Sequence, residues 1–183
     1  MALTSTVYNF DISLSDSDRG VYEELALRVA LHPSETLEHM LTRVLAYCLE
    51  YEEGIAFSKG GLSDSDQPAV SIAHPDGRIR TWIDIGLPDA ERLNKAGKAA
   101  ERVAVYTHRD PATLQRQTAG QRIHRGQEIA VYAIDRRLLE ELVPLIDRRT
   151  KLDVTVTGHQ LYIATGGQSL SGAITDHRLE PAV

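Results

Sequence analysis

Trp82 to Ala96 reads WIDIGLPDAERLNKA, and the interpretation of this stretch decides the fold. A strand-like run ends at Asp84 and Gly86, and Leu87-Pro88-Asp89 interrupts it. Asp89 is a good helix cap, so a helix carrying Arg92 and Lys95 is expected over 89–102. Upstream, AVSIAH (69–74) and RIRTWIDIG (78–86) are joined by Pro75-Asp76-Gly77, a hairpin signal. Downstream, 103–107 reads as another strand. Two paired strands, a helix and a further strand in that order predict an α/β arrangement.

Toward the N-terminus, 7–14 reads as a strand. Ser15 to Asp18 (SDSD) reads as a helix cap, and 21–31 carries apolar residues at helical spacing. His32-Pro33 would end that helix, because the residue before proline is pushed out of the helical region. Ser34 is expected to cap a second helix over 34–51, followed by a short strand in GIAFSKG and a polar loop, GLSDSDQ, over 61–67. Beyond 107, a helix over 110–119, a strand over 128–134 and a helix over 135–147 containing Pro144 are expected. The C-terminal third reads as two hairpins, turned at Gly158 and at Gly166-Gly167. The whole predicts one domain over 1–183, α/β in the sense of an α+β mixed sheet.

Composition narrows the function classes. The chain has 183 residues, 42% hydrophobic and 25% charged, with a formal net charge of -6. That balance argues against capture of nucleic acid over a broad basic surface and leaves room for a local basic patch. One cysteine, Cys48, excludes an intrachain disulfide and a thiolate zinc cage, and its apolar neighbours suggest a buried small hydrophobe. No apolar run has the length of a membrane span, and the N-terminus lacks the form of a signal peptide, so a cytoplasmic location is expected.

Carboxylates at the hairpin are the main candidates for chemistry. With the turn centred between Asp76 and Gly77, Asp84 lies opposite Ala69 and Asp66 opposite Leu87, so Asp66 and Asp84 share the open end. Asp76 is turn chemistry at the far end. Asp84 shares a strand face with Trp82, where an acid is costly to bury without a partner. On helix 34–51, Glu38 falls at the edge of the apolar stripe, with Glu35 turned further toward solvent. Lys95 is a boundary residue of helix 89–102. Carboxylates plus a lysine suit a hard ion, Mg²⁺ or Mn²⁺, held by Asp66 and Asp84, with Lys95 stabilising an oxyanion. On the same reasoning, an Asp84→Asn exchange should leave the fold nearly intact. The alternative is a set of caps and solvated charges.

Other motifs carry less. The seven histidines show no paired helical spacing for zinc. Ser169 to Thr175 lacks a nucleophile-elbow frame, and Gly166-Gly167 lacks the pattern of a phosphate loop. Arg116, Arg122, His124 and Arg125 form either a phosphate-contacting edge or a solvated face, and Arg136-Arg137 and Arg148-Arg149-Lys151 carry the same two readings.

The order helix, strands, helix, strand over about 34–107 resembles the restriction-endonuclease-like core. MALTSTVYNFDI, HPSETLEHMLTRVLAY and WIDIGLPDAERLNKA together resemble the YaeQ family of bacterial proteins, which is similar in fold to the PD-(D/E)XK nucleases. The resemblance implies that core with an added N-terminal strand and helix and C-terminal β-hairpins. By position, the loop acid falls on Asp66 and the first acid of the D/E-x-K segment on Asp84. Gly86 stands where the lysine would be, and Lys95 is placed to supply it from the next helix. Glu38 is the acid of the first core helix, with Glu35 as second choice. The implied function is Mg²⁺-dependent hydrolysis of a nucleic-acid phosphodiester. The alternatives are a non-catalytic module binding nucleic acid or a protein partner, in a setting such as transcription, and a cleft for a small anionic ligand.

Overall fold

The computed structural model describes residues 4–60 and 64–180, so positions 61–63 of the expected polar loop lie outside the described residues. The strands are β1 (Thr6–Asp16), β2 (Val21–Leu31), β3 (Ile55–Phe57), β4 (Val70–Ala73), β5 (Ile79–Ile85), β6 (Arg102–Thr107), β7 (Ala130–Ile134), β8 (Arg149–Thr157), β9 (Gln160–Thr165) and β10 (Gln168–Arg178). The helices are α1 (Leu37–Leu49), α2 (Ala90–Ala99), α3 (Pro111–Thr118) and α4 (Arg136–Leu142). All strands join one mixed sheet in the order β2-β1-β8-β9-β10-β7-β6-β5-β4-β3. α1 touches both β2 and β3, the two edge strands, so the sheet curls around it.

The expected helix over 21–31 is β2. Its residues pair with β1 along the full length, from Thr6 opposite Leu31 to Asp16 opposite Val21. Leu25, Leu27 and Val29 are buried while Tyr22, Glu24, Ala26, Arg28 and Ala30 are exposed, a period of two. The same residues also satisfy a helical stripe, and Glu, Leu, Ala and Arg are helix formers. Pairing with β1 overrides that preference. The SDSD segment is consequently part of a hairpin turn, closed by Gly20 at φ +70. His32 follows a strand, and Ser34 does not cap α1: Thr36 does, accepting from the His39 amide at 3.2 Å. The helix expected over 135–147 ends at Leu142 and tightens into a 3-10 turn, because Pro144 offers no amide to continue the ladder.

The central hairpin has the register expected from its turn, with Val70 opposite Ile83, Ser71 opposite Trp82 and Ile72 opposite Thr81. A bulge beyond Ile72 then moves Ile79 to the Trp82 side of the sheet. β5, β6 and β7 run parallel. Their two faces are covered differently. Ile83, Ile85, Ala104 and Tyr106 pack with α1 and α4 inside the curl, while Trp82, Val103, Val105 and Val131 pack under α2 and α3. Cys48 lies in the inner cluster, and burial pushes its thiol up to about 12, so it acts as packing. Among the described residues, no helix is long and apolar enough to cross a membrane.

Candidate functional site at the carboxyl ends of the parallel strands

Asp84 is the last polar residue of β5 and is buried on the α2 face. Its partner is Arg92, in the first turn of α2, which the capping of α2 by Asp89 aims back at the strand end. Arg92 Nε donates to Asp84 Oδ2 at 2.8 Å and its Nη2 donates to Oδ1 at 2.7 Å. The same guanidinium donates to the carbonyls of Ser65 at 3.1 Å and Gln67 at 2.8 Å, and it lies 5.6 Å from the Trp82 ring centroid. Arg92 thus joins strand, helix and the loop holding Asp66 through a bidentate, charge-assisted fork.

Asp66 reaches the same end of the hairpin, as its position opposite Leu87 requires, but its carboxylate turns outward to an ion pair with Lys95. That pairing holds the Asp66 carboxyl below the usual range. Both side chains are exposed, so solvent screens the pair and little stability rests on it. The two acids therefore converge on α2, each on a different cation. Lys95 does not touch Asp84. Glu38 is half-buried and lies on the α1 side, across the sheet from Asp84.

A divalent ion needs free carboxylate oxygens. Both Asp84 oxygens are occupied by Arg92, and Asp66 is matched by Lys95. Among the described residues, no group of three or more His, Cys, Asp or Glu is arranged to hold a metal. As arranged, these residues do not fit Mg²⁺ or Mn²⁺. The burial of Asp84 against Arg92 also gives it a structural role, so an Asp84→Asn exchange is not neutral to the fold.

Gly86 explains the missing lysine in backbone terms. Its φ is +87, and a Cβ there would lie 3.4 Å from His39 Cδ2. A side chain would be strained by the left-handed backbone, while its Cβ would make only ordinary contact with His39. Gly86→Lys is expected to destabilise the protein by about 1–3 kcal/mol, read as a fall in the urea midpoint. A midpoint equal to wild type would show that the turn tolerates a side chain.

Glu35 is not turned toward solvent. The helix starts at Leu37, so Glu35 precedes its cap and the helical angle does not apply to it. Its side chain is fully buried and accepts from Arg43 Nη2 at 2.8 Å and Nε at 3.0 Å, with His39 Nδ1 at 2.6 Å. Burial pushes the Glu35 carboxyl up, but His39 and Arg43 together outweigh it and hold it below the usual range. An ionised carboxylate only accepts, so His39 Nδ1 carries the proton in this bond and its Nε2 is the outer ring nitrogen. The signal for this ladder was the spacing Glu35, His39, Arg43.

These residues border an open cleft of about 760 Å³. Its walls are the start of α1 (Glu35, Glu38, His39), the β5–α2 turn (Ile85 to Pro88) with Arg92, the end of β6 (His108, Arg109), and α4 (Arg136, Glu140). It opens at the carboxyl ends of parallel strands, where α/β sheets present ligands to loop and helix residues. The His108 ring is pushed below its ordinary value by burial first, then by His39, Arg109 and Arg136, with Glu38 opposing.

Several of the other basic residues have structural partners. Arg125 caps α2, donating to the carbonyls of Ala100 at 2.6 Å and Gly97 at 3.1 Å. Arg136 and Arg137 pair with Glu140 and Glu141 one turn on. Arg148 lies 5.6 Å from the Tyr8 ring centroid.

The comparisons agree with one another. The family model described as "YaeQ protein" matches residues 1–174. "Uncharacterized protein YaeQ" of Salmonella typhi is 30% identical over 176 residues, 96% of this chain and 97% of that protein. The Escherichia coli (strain K12) protein of the same name is 29% identical over 176 residues, with the same coverage. The crystal structure of YaeQ protein from Pseudomonas syringae superposes with a TM-score of 0.85 at 31% identity, covering 96% of this chain and 97% of that one. The YaeQ protein structure from Xanthomonas axonopodis pv. citri gives 0.85 at 28% identity, covering 97% of this chain and 100% of that one. With a family match over nearly its whole length and relatives that span the same fold, this chain belongs to the YaeQ family.

Proposed function

We propose that the chain is a nucleic-acid-binding module on a layout similar to the PD-(D/E)XK nucleases, working without metal-dependent hydrolysis. The observation that carries this reading is the division of labour at one strand end. Asp84 is locked by Arg92, whereas the Arg109 guanidinium faces the cleft with no hydrogen-bond or ion-pair partner among the described residues, only its backbone amide being bonded, to the Thr107 hydroxyl. A cation free to meet a phosphate follows one strand end, and at the neighbouring strand end stands an acid that is not free to meet a metal. A single local cation also accords with a net charge of -6, since only a local contact with the backbone is then favourable.

The test has two parts. Thermal unfolding with and without Mg²⁺ or Mn²⁺ should show no metal-dependent rise in Tm, because an ion bound only to the folded state would raise it by mass action. Fluorescence anisotropy with single- and double-stranded DNA and RNA should show binding that weakens steeply with salt. A rise in Tm that Asp84→Asn abolishes, together with cleavage of a strand, would restore the hydrolytic reading with Mg²⁺ on Asp66 and Asp84. Binding that ignores salt would remove the phosphate backbone from the account.

A further inference from the structure

The cleft at the carboxyl ends of β5, β6 and β7 holds a set of groups that neither the carboxylate positions nor the family match assigns a role. Charges face it from every side. α1 contributes Glu35, Glu38 and His39; the end of β6 contributes His108 and Arg109; α2 contributes Arg92; α4 contributes Arg136 and Glu140. Their states differ. Glu35 is neutralised by Arg43 and His39, Arg92 is committed to Asp84, and Arg136 shares its charge with Glu140 through a 2.8 Å bond. Arg109, His39 Nε2 and the unpaired Glu38 remain, with His108 between them electrostatically.

We propose that this cleft seats a phosphate monoester group, held by the Arg109 guanidinium and the outer face of Arg136, with Nε2 of His39 facing it. The proposal rests on the phosphate-binding reading above and names the kind of phosphate. A monoester carries up to two negative charges and meets several cationic donors at one point, which an internal diester with a single charge does less well. The buried Glu35 carboxylate keeps Nδ1 of His39 as the inner donor, so Nε2 is the atom offered to the ligand. Ile85, Leu87 and Pro88 supply an apolar wall for the organic part of the ester, and the volume of about 760 Å³ falls in the range of small-ligand clefts. Glu38, and Glu140 beside Arg136, oppose the anion. The monoester carries its second charge only above about pH 6, so affinity should be greater at pH 8 than at pH 6.

Such a group could sit at the end of a nucleic-acid strand or on a small metabolite, and the probes separate these sources. Calorimetric titrations at pH 6 and pH 8 would use adenosine, adenosine 5′-monophosphate, and one oligonucleotide with either a 5′-phosphate or a 5′-hydroxyl. The monophosphate and the 5′-phosphorylated strand should bind about tenfold or more tightly than their unphosphorylated counterparts, as expected for charge-assisted hydrogen bonds. Arg109→Ala should weaken monophosphate binding about tenfold. His39→Gln should weaken it as well. Arg148→Ala, outside the cleft lining and over the Tyr8 ring of β1, should leave it unchanged. Equal affinity for adenosine and its monophosphate, no binding of either, or an Arg109→Ala affinity equal to wild type overturns the proposal. Equal binding of the two oligonucleotides overturns it for strand ends and leaves the nucleic-acid reading standing. Monophosphate binding with no oligonucleotide binding supports the seat and sinks the nucleic-acid reading instead.

Discussion

Asp84→Asn will lower the stability of this protein by about 3 kcal/mol, the low end for removing one partner of a buried ion pair. Asp84 is buried and accepts two bonds from Arg92, so the exchange leaves a guanidinium facing a neutral amide that can accept on only one side. The low end applies because the Arg92 side chain is 26% exposed and water can replace part of what is lost. In a chain of this length about 3 kcal/mol corresponds to a fall in Tm of roughly 6–12 °C. The effect should extend to the loop before β4, since Arg92 also holds the carbonyls of Ser65 and Gln67. Calorimetry and hydrogen exchange of residues 64–68 measure both. A variant melting within 2 °C of wild type would falsify the structural role of the pair.

Glu35→Gln is expected to have the larger effect, about 3–5 kcal/mol, because both partners of the broken pair are deeply buried. Arg43 would lose its counter-charge and one of two acceptor oxygens at position 35 while its side chain remains only 7% exposed, keeping the Ala30 carbonyl at 2.8 Å. That bond ties α1 to the edge strand β2, so curling of the sheet around α1 weakens with it. The pH dependence has a definite sign. A carboxyl whose folded value is depressed contributes stability above its unfolded value, near 4.3, and loses it as pH falls through the lower folded value. Wild type should therefore lose stability between about pH 4.5 and pH 2 more steeply than Glu35→Gln, whose amide does not titrate. Parallel curves for the two proteins over that range would show that Glu35 is not the titrating anchor.

Much of the central architecture was legible in the residues. The hairpin of β4 and β5 takes its register from Pro75-Asp76-Gly77, and that register placed Asp66 and Asp84 at one end before any long-range contact was known. The C-terminal hairpins turn where expected, with Thr157 opposite Gln160 across Gly158 and Thr165 opposite Gln168 across Gly166-Gly167. Asp89 caps α2 as anticipated, and Asp110 caps α3. The mixed sheet and the burial of Cys48 also follow.

What the amino-acid sequence by itself determined are the features governed by neighbours in the chain: turns, caps, the 3.6-residue stripe of α1 and the strand pair closed by a tight loop. Only the tertiary structure decided the rest. Residues 21–31 suit a helix or a strand, and pairing with β1 chose the strand. Glu35 sits one residue before the helix cap, so its burial depends on Arg43 and His39 and no periodicity foretells it. Arg92 is eight residues from Asp84, and its choice of that acid, with Lys95 taking Asp66, is fixed by how α2 docks on β5 and β6. The cleft exists because parallel strands end side by side beneath the start of α1, a coincidence of four segments distant in sequence. Ion-pair choice and cleft shape are set by which surfaces desolvate one another, and that is known only once the sheet has closed around α1.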